Sequence, residues 1–259
     1  MKAMIFAAGM GTRLKPITDT MPKALVPIAG KPLLEHVARK LKASGIDEAV
    51  VNVHHFADMI EEWIHADAVN ENGTGLSMQV SDERELLLET GGGILKARPY
   101  LHDCESFLIH NVDILSNLDI EWFASQVKSG SLATLLVSHR DTARYLLFDP
   151  QTMRLVGWTS LKTGEVKSPY ADLQPDKCLK LAFSGIHIMS DKVFDVMDDY
   201  VKEKGLHDDT YSPRFPIIDF YLSVCDEFPI YGVLSSGLDL IDVGKLDSLQ
   251  QAEMLAQAL

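Results

Sequence analysis

The stretch Ala3-Met4-Ile5-Phe6-Ala7-Ala8-Gly9-Met10-Gly11-Thr12-Arg13-Leu14, followed by Met21-Pro22-Lys23-Ala24-Leu25-Val26-Pro27, decides how the chain is read. Its apolar start, Ala3 to Ala7, reads as a buried first strand that empties into a loop with two glycines one residue apart. Glycine there lets backbone N–H groups approach an anion, and a concave run of amides binds phosphate oxygens without side-chain bulk. Arg13 and Lys23 add full positive charges nearby, which suits the polyanion of a nucleoside triphosphate. Two other phosphate loops are excluded. A dinucleotide fingerprint needs a third glycine where Leu14 stands, and no GxxxxGK[ST] string occurs in the chain.

Charge points to the same place. Lys2, Arg13, Lys15, Lys23 and Lys31 face only Asp19 within residues 1–31, in a chain whose net charge is −13. A glycine-rich turn after a first strand can be a plain turn, and lysines commonly sit on solvated faces. Arg13 together with the Pro22-Lys23 pair is what favours a phosphate site.

With 259 residues the chain can bury a sizeable core, and one α/β domain over 1–259 is expected. The acidic balance argues against nucleic acid and anionic membranes as partners. No apolar run reaches the ~18 residues of a membrane span, and the N-terminus reads as a core strand, so a cytoplasmic protein is expected, a monomer or small homo-oligomer. Cys104, Cys178 and Cys225 are odd in number and widely spaced, which indicates neither a disulfide framework nor a zinc site. Of the nine histidines only His54 and His55 adjoin, and they read as loop or surface packing.

Further along, Pro32 to Leu41 has helical spacing, Ala49 to Val53 reads as a strand, Phe56 to Ile64 as an amphipathic helix and Leu76 to Val80 as a third strand. Such alternation predicts parallel strands with ligands beyond their carboxyl ends. Three glycines in Leu88-Glu89-Thr90-Gly91-Gly92-Gly93 read as a turn running into a helix start. Ser106 to His110 is a buried strand delivering Asn111-Val112-Asp113 to the sheet edge that carries the first loop. After a helix over 119–127 and a strand over 132–137, short strands at 145–148, 154–158 and 165–166 predict a β-meander. Lys180 to Ile188 reads as a strand, 191–200 and 215–224 as helices, 230–234 as a late strand and 246–259 as a closing helix.

The string AAGMGTRLKPITDTMPKALVPIAGKP at residues 7–32 resembles the signature of the sugar-1-phosphate nucleotidyltransferases: a GxGTR-like loop, then PK, then P-x-x-G-K-P. The resemblance implies an enzyme that joins a nucleoside triphosphate to a sugar 1-phosphate and releases pyrophosphate. It implies a single Rossmann-like (GT-A-like) α/β domain with a mixed, mostly parallel central sheet. About 1–140 would form a nucleotide-binding half, and 141–259 a sugar-binding half with a small β-rich subregion and the C-terminal helix.

By the same resemblance Ala8, Gly9, Gly11 and Thr12 bind the nucleotide, Arg13 stabilises the departing pyrophosphate, and Lys23 holds the α-phosphate and the incoming sugar phosphate. Glu89 and Gly92 belong to a glycine-rich turn against the base. Asn111, Ser184 and Gly185 lie beside the sugar, and Asp113 and Asp242 hold Mg2+. Asp82 or Glu83 supplies an acceptor for guanine N1–H and N2–H or uracil N3–H. Three departures from the family pattern stand out: Val112 replaces a glycine, Lys245 replaces a threonine, and no E-x-K-P-like sugar contact is found between 140 and 180. The ETGGG string resembles N-acetylmuramate 1-phosphate uridylyltransferases, with mannose-1-phosphate guanylyltransferases next. A nucleotide-sugar-binding protein without turnover and a GT-A-like glycosyltransferase are the alternatives of other classes, and pyrophosphate release separates the three.

Overall fold

The computed structural model describes residues 1–206 and 212–259. Strand β1 (Lys2–Phe6) leads into the glycine loop, then a short hairpin, β2 (Pro27–Ile28) and β3 (Lys31–Pro32), and helix α1 (Leu33–Ala43). Next come β4 (Glu48–Val53), α2 (Ala57–Val69), β5 (Ser77–Asp82), α3 (Glu89–Lys96), α4 (Arg98–Leu101), β6 (Ser106–Asn111), β7 (Ile114–Ser116) and α5 (Ile120–Ser125). The second half holds β8 (Ala133–Ser138), a meander of β9 (Arg144–Phe148), β10 (Leu155–Ser160) and β11 (Val166–Lys167), then the long β12 (Leu179–Ser190). Helices α6 (Val193–Glu203) and α7 (Ile217–Val224), strands β13 (Ile230–Leu234) and β14 (Leu240–Asp242), and helix α8 (Leu249–Ala258) complete the chain.

The central sheet is mixed, as expected. Strands β5, β4, β1 and β6 lie side by side in parallel, with crossovers joining β1 to β4, β4 to β5 and β5 to β6, so their carboxyl ends share one edge. Strand β12 then runs antiparallel to β6, with Ile186 opposite His110, and carries β8 and β9 along its length. Its register against β8 shifts between Phe183 and His187, the place where Ser184 and Gly185 sit. The meander hangs from the outer end of β12, where Leu179–Leu181 pair with β9.

Alternation along β1 divides the core. Ala3 and Ile5 join one apolar cluster with Leu34, Val37 and Leu41 of α1 and Ile60 of α2; Met4 joins the other with Ile94 of α3, Met197 of α6 and Phe220 of α7. Both faces of the sheet are therefore covered by helices, and burial of the β1 and β6 side chains on both faces explains their unbroken apolar runs.

One sequence reading is corrected. The three glycines do not form a turn; they lie inside α3, buried against the segment before α7. Gly91 N and Gly92 N donate to Phe215 O at 2.8 and 3.2 Å. A Cβ on Gly92 would stand 2.1 Å from Pro213 O, and one on Gly91 would stand 2.3 Å from the Phe215 ring. Thr90 Oγ1 accepts from Ile217 N at 2.9 Å and so caps α7. Glycine costs a helix about 1 kcal/mol per position relative to alanine. Close approach of two backbones is what keeps it here. Gly92→Ala should therefore destabilise the protein by about 2–4 kcal/mol despite its better helix propensity, read from chemical denaturation; a stabilised variant would contradict the packing.

The core also holds two buried histidines. His187 Nδ1 shares a 2.5 Å hydrogen bond with Tyr221 Oη, and burial pushes the imidazole down to about 3; burial takes His110 down to about 4. Both are neutral in the folded protein, whereas in the unfolded chain they take up a proton near pH 6.5. The unfolded state thus binds more protons below that value. Stability should fall by about 1.4 kcal/mol per pH unit for each histidine as pH drops from about 6.5 toward about 4. Melting temperature measured against pH in wild type and His187→Leu tests this, because the variant should show the shallower acid slope.

Candidate active site

Where β1 and β6 end, their following loops open a cleft of about 370 Å³. It is walled by residues 7–13, Lys23, Leu87, Glu89, Thr90, Asn111, Val112, Asp113 and Gly244. This is the edge at which parallel sheets place ligands.

The loop is anchored from beneath by Asn52 on β4. Its Oδ1 accepts from Ala7 N at 2.8 Å and Ala8 N at 3.3 Å, and its Nδ2 donates to Glu83 Oε1 at 2.8 Å. Glu83 Oε2 in turn accepts from Leu88 N at 3.0 Å, just before α3. Burial pushes the Glu83 carboxyl above its usual range, opposed by these two hydrogen bonds and by Lys96 and His54. Two N–H donors aimed at its two oxygens suit the carboxylate. Glu83 is 1% exposed and Asp82 pairs with Arg84. Glu83 lies beneath the cleft and neither carboxylate lines it, so the reading of either as a base acceptor is not supported. With Ala7 and Ala8 tied, the Gly9, Met10 and Gly11 amides donate to no protein acceptor among the described residues. Gly11 adopts φ 61°, the left-handed region open to glycine.

Lys23, 8% exposed, extends Nζ to Asp113 Oδ2. Asp113 follows β6, and its backbone O accepts from Val243 N at 2.8 Å. Strand β14 pairs with β7 so that Asp242 stands opposite Ile114, the neighbour of Asp113. Asp242 Oδ1 is buried and lacks a hydrogen-bond partner among the described residues. A Cβ on Gly244 would stand 2.6 Å from that oxygen and 2.8 Å from Arg13 Nη2. Glycine at 244 is what lets the first loop's guanidinium and the last strand's carboxylate share one corner.

Val112 raises no strain. It is buried, its φ is negative, and its N–H donates to Phe6 O at 3.1 Å. Glu89 is the residue under strain, with φ 61° where side chains are disfavoured, and its carboxylate pairs with Arg214 at 3.0 Å. Of the residues singled out in the sequence, Ala8, Gly9, Gly11, Thr12, Arg13, Lys23, Glu89, Asn111 and Asp113 line the cleft. Gly185 sits behind it, where its Cβ would stand 2.7 Å from Asn111 Nδ2. Ser184 is fully buried, and Gly92 is committed to the contact with Pro213 and Phe215. Asn52 and Thr90 escaped the sequence reading, which offered no signal beyond a polar residue interrupting Val50-Val51 and Val53 in a buried strand.

Two substitutions separate chemistry from scaffold. Arg13 is exposed and makes no ion pair among the described residues, so Arg13→Ala should cost about 2–4 kcal/mol in kcat/KM with little change in Tm. Asn52→Ala leaves two buried amides and Glu83 Oε1 without a partner, and should lower Tm and kcat/KM together, with a stability loss of about 1–3 kcal/mol. Thermal melts beside steady-state kinetics check both.

Comparison with known proteins agrees with this geometry. The family model described as nucleotidyl transferase matches residues 2–145. The N-acetylmuramate alpha-1-phosphate uridylyltransferase of Neisseria meningitidis serogroup B is 30% identical over 100% of this chain and 99% of its own. Its namesake from Caulobacter vibrioides is 46% identical over 111 residues, a match spanning 43% of this chain and 45% of that protein. The solved UDP-glucose pyrophosphorylase from Acinetobacter baumanii superposes with a TM-score of 0.73 at 17% identity, covering 98% of this chain and 92% of that one, a likeness of fold. Matched over more than half its length by the family model and end to end by a relative, the chain belongs to the nucleotidyl transferase family, among its sugar-1-phosphate nucleotidyltransferases.

Proposed function

We propose that the cleft joins UTP to N-acetylmuramate 1-phosphate, or to a closely similar hexosamine 1-phosphate, giving a nucleotide sugar and pyrophosphate. The observation that carries this reading is the meeting of Arg13, Lys23, Asp113 and Asp242 beside a loop whose amides at 9–11 are free to donate. A sugar phosphate is already an anionic nucleophile, so no general base is needed. The barrier falls through alignment of its oxygen with the α-phosphorus and through positive charge on the leaving pyrophosphate. Lys23, fixed by Asp113, is held to grip the two phosphates that must meet; Arg13, at the outer corner beside Gly244, faces the leaving group.

Asp113 and Asp242 would hold the metal. Among the described residues no group of three or more His, Cys, Asp or Glu side chains is placed to hold an ion. A pair of carboxylates, one with a buried orphan oxygen, suits a hard cation such as Mg2+ that completes its shell with phosphate oxygens and water. Bound there, the ion supplies charge neutralisation to the phosphates being exchanged. The names of the Neisseria and Caulobacter relatives support the uridylyl and N-acetylmuramate parts of the reading, and with them a role in the nucleotide-sugar supply of a cell wall. No described helix is long and apolar enough to cross a membrane, in keeping with work on water-soluble substrates in the cytoplasm.

Pyrophosphate release, measured for the four nucleoside triphosphates against a panel of sugar 1-phosphates at limiting concentration, tests the assignment. UTP with N-acetylmuramate 1-phosphate should give the highest kcat/KM, and EDTA should abolish turnover. Asp113→Asn and Asp242→Asn should each remove pyrophosphate release by a factor of at least about 100 while the protein stays folded. GTP with mannose 1-phosphate winning the competition would overturn the substrate pair. Binding of nucleotide with no pyrophosphate from any pair would mark a binding protein.

A further inference from the structure

A second cavity, of about 590 Å³, opens between the meander and α7. Tyr145, Trp158 and Phe183 contribute aromatic surface, and Arg140 and Arg144 contribute positive charge. It adjoins the first cleft through two shared pieces of backbone. Ala182 and Phe183 of β12 line the second cavity, while Gly185, two residues on, abuts Asn111 in the first. On the other side, Thr90 of the first cleft bonds Ile217 N, which lies between Pro216 and Ile218 of the second. The backbone of β12 thus connects the Asn111 wall of the first cleft to the meander side of the second.

The charges in this cavity are unevenly matched. Lys167 is committed to Asp219 at 3.6 Å and Glu165 at 4.0 Å. Arg140 gives Nη2 only to Phe183 O, at 2.9 Å, and neither Arg140 nor Arg144 makes an ion pair among the described residues. Arg39, Arg84, Arg98 and Arg214 are paired with carboxylates, and Arg154, which makes no ion pair among the described residues, gives Nη2 to Cys225 O at 3.1 Å. In a chain of net charge −13, two arginines in one cavity with no acidic partner among the described residues offer their charge to an anion from outside.

We infer that Arg140 and Arg144 make this enzyme selective for a sugar 1-phosphate carrying a carboxylate. The inference rests on the sugar-1-phosphate reading of the first cleft. A guanidinium presents parallel N–H donors that match a carboxylate in a bidentate way, and the aromatic walls cover the apolar faces of a pyranose ring. N-acetylmuramate is N-acetylglucosamine with a lactyl ether, whose carboxylate is ionised at neutral pH. The two 1-phosphates therefore differ by the one group these arginines would read.

The test compares kcat/KM for N-acetylmuramate 1-phosphate and N-acetylglucosamine 1-phosphate, with UTP saturating, in wild type, Arg140→Ala, Arg144→Ala and the double variant. Wild type should favour the carboxylated sugar by about 10–100-fold, the range that one charged recognition contact supplies. That ratio should fall toward one in the double variant, the loss appearing mainly in KM of the carboxylated sugar. Arg144→Lys should keep an intermediate ratio, because an ammonium retains the charge and loses the fork. A wild-type ratio near one, or variants in which both sugars lose activity by the same factor, would overturn the assignment. Pyrophosphate release with neither sugar, nor with any other sugar 1-phosphate, would instead overturn the reading of the first cleft on which it rests.

Discussion

A single amide oxygen, Oδ1 of Asn52, holds the departure of the glycine loop from the sheet by accepting from both Ala7 N and Ala8 N. A strand that ends at a ligand edge must stop pairing somewhere, and its last N–H groups then need acceptors that do not compete with the ligand. Placing that acceptor on the neighbouring parallel strand turns the loop at a fixed point and leaves the following amides free. The same side chain reaches Glu83, and Glu83 reaches the start of α3, so the glycine loop and the Glu89–Thr90 wall are set by one buried network. Such a network is costly when half satisfied, which is why its members must be kept together.

Around that scaffold the charges are arranged by distance from solvent. Lys23 is buried and neutralised by Asp113, whereas Arg13 is exposed and reaches its corner through the gap left by Gly244. A buried ammonium without a partner would be expelled or lose its proton, so the ion pair is the condition for keeping a cation deep in the cleft. Position rather than net attraction is then its contribution. The chain as a whole is acidic, and of the basic residues in 1–31 it is Arg13 and Lys23 that line the cleft, while Lys2 pairs with Glu48 and Asp103 and Lys15 with Asp19.

Much of this was legible because it is local. The strand, the two glycines, Arg13, Lys23 and the Asn111-Val112-Asp113 string lie within short windows whose periodicity and residue types carry their own meaning, and Asp242 was singled out by its string alone. What escaped depends on contacts far apart in sequence. Glu83, with Asp82, was read as an acceptor for the base, since carboxylates are seldom buried; its partners Asn52, on another strand, and Leu88 come only with the fold. Gly91 to Gly93 looked like a turn because glycine opposes helices, and it took Pro213 and Phe215 pressing on α3 to reverse that preference. Strands β7 and β14, three residues each, are too short to show a period at all. Arg140 and Arg144 acquire a joint meaning only when the meander folds back on β12.

The corner where Arg13 and Asp242 flank Gly244 joins segments far apart in sequence. Helix α8 is stitched to the same region, Glu253 Oε2 accepting from Ala29 N at 2.7 Å. A ribosome therefore delivers the glycine loop, Asn52, Glu83 and Asp113 well before it delivers Asp242. The corner stays open on one side until β14 has been made and has paired with β7. Closing it is thus a long-range event, one that the local strings on either flank cannot complete alone.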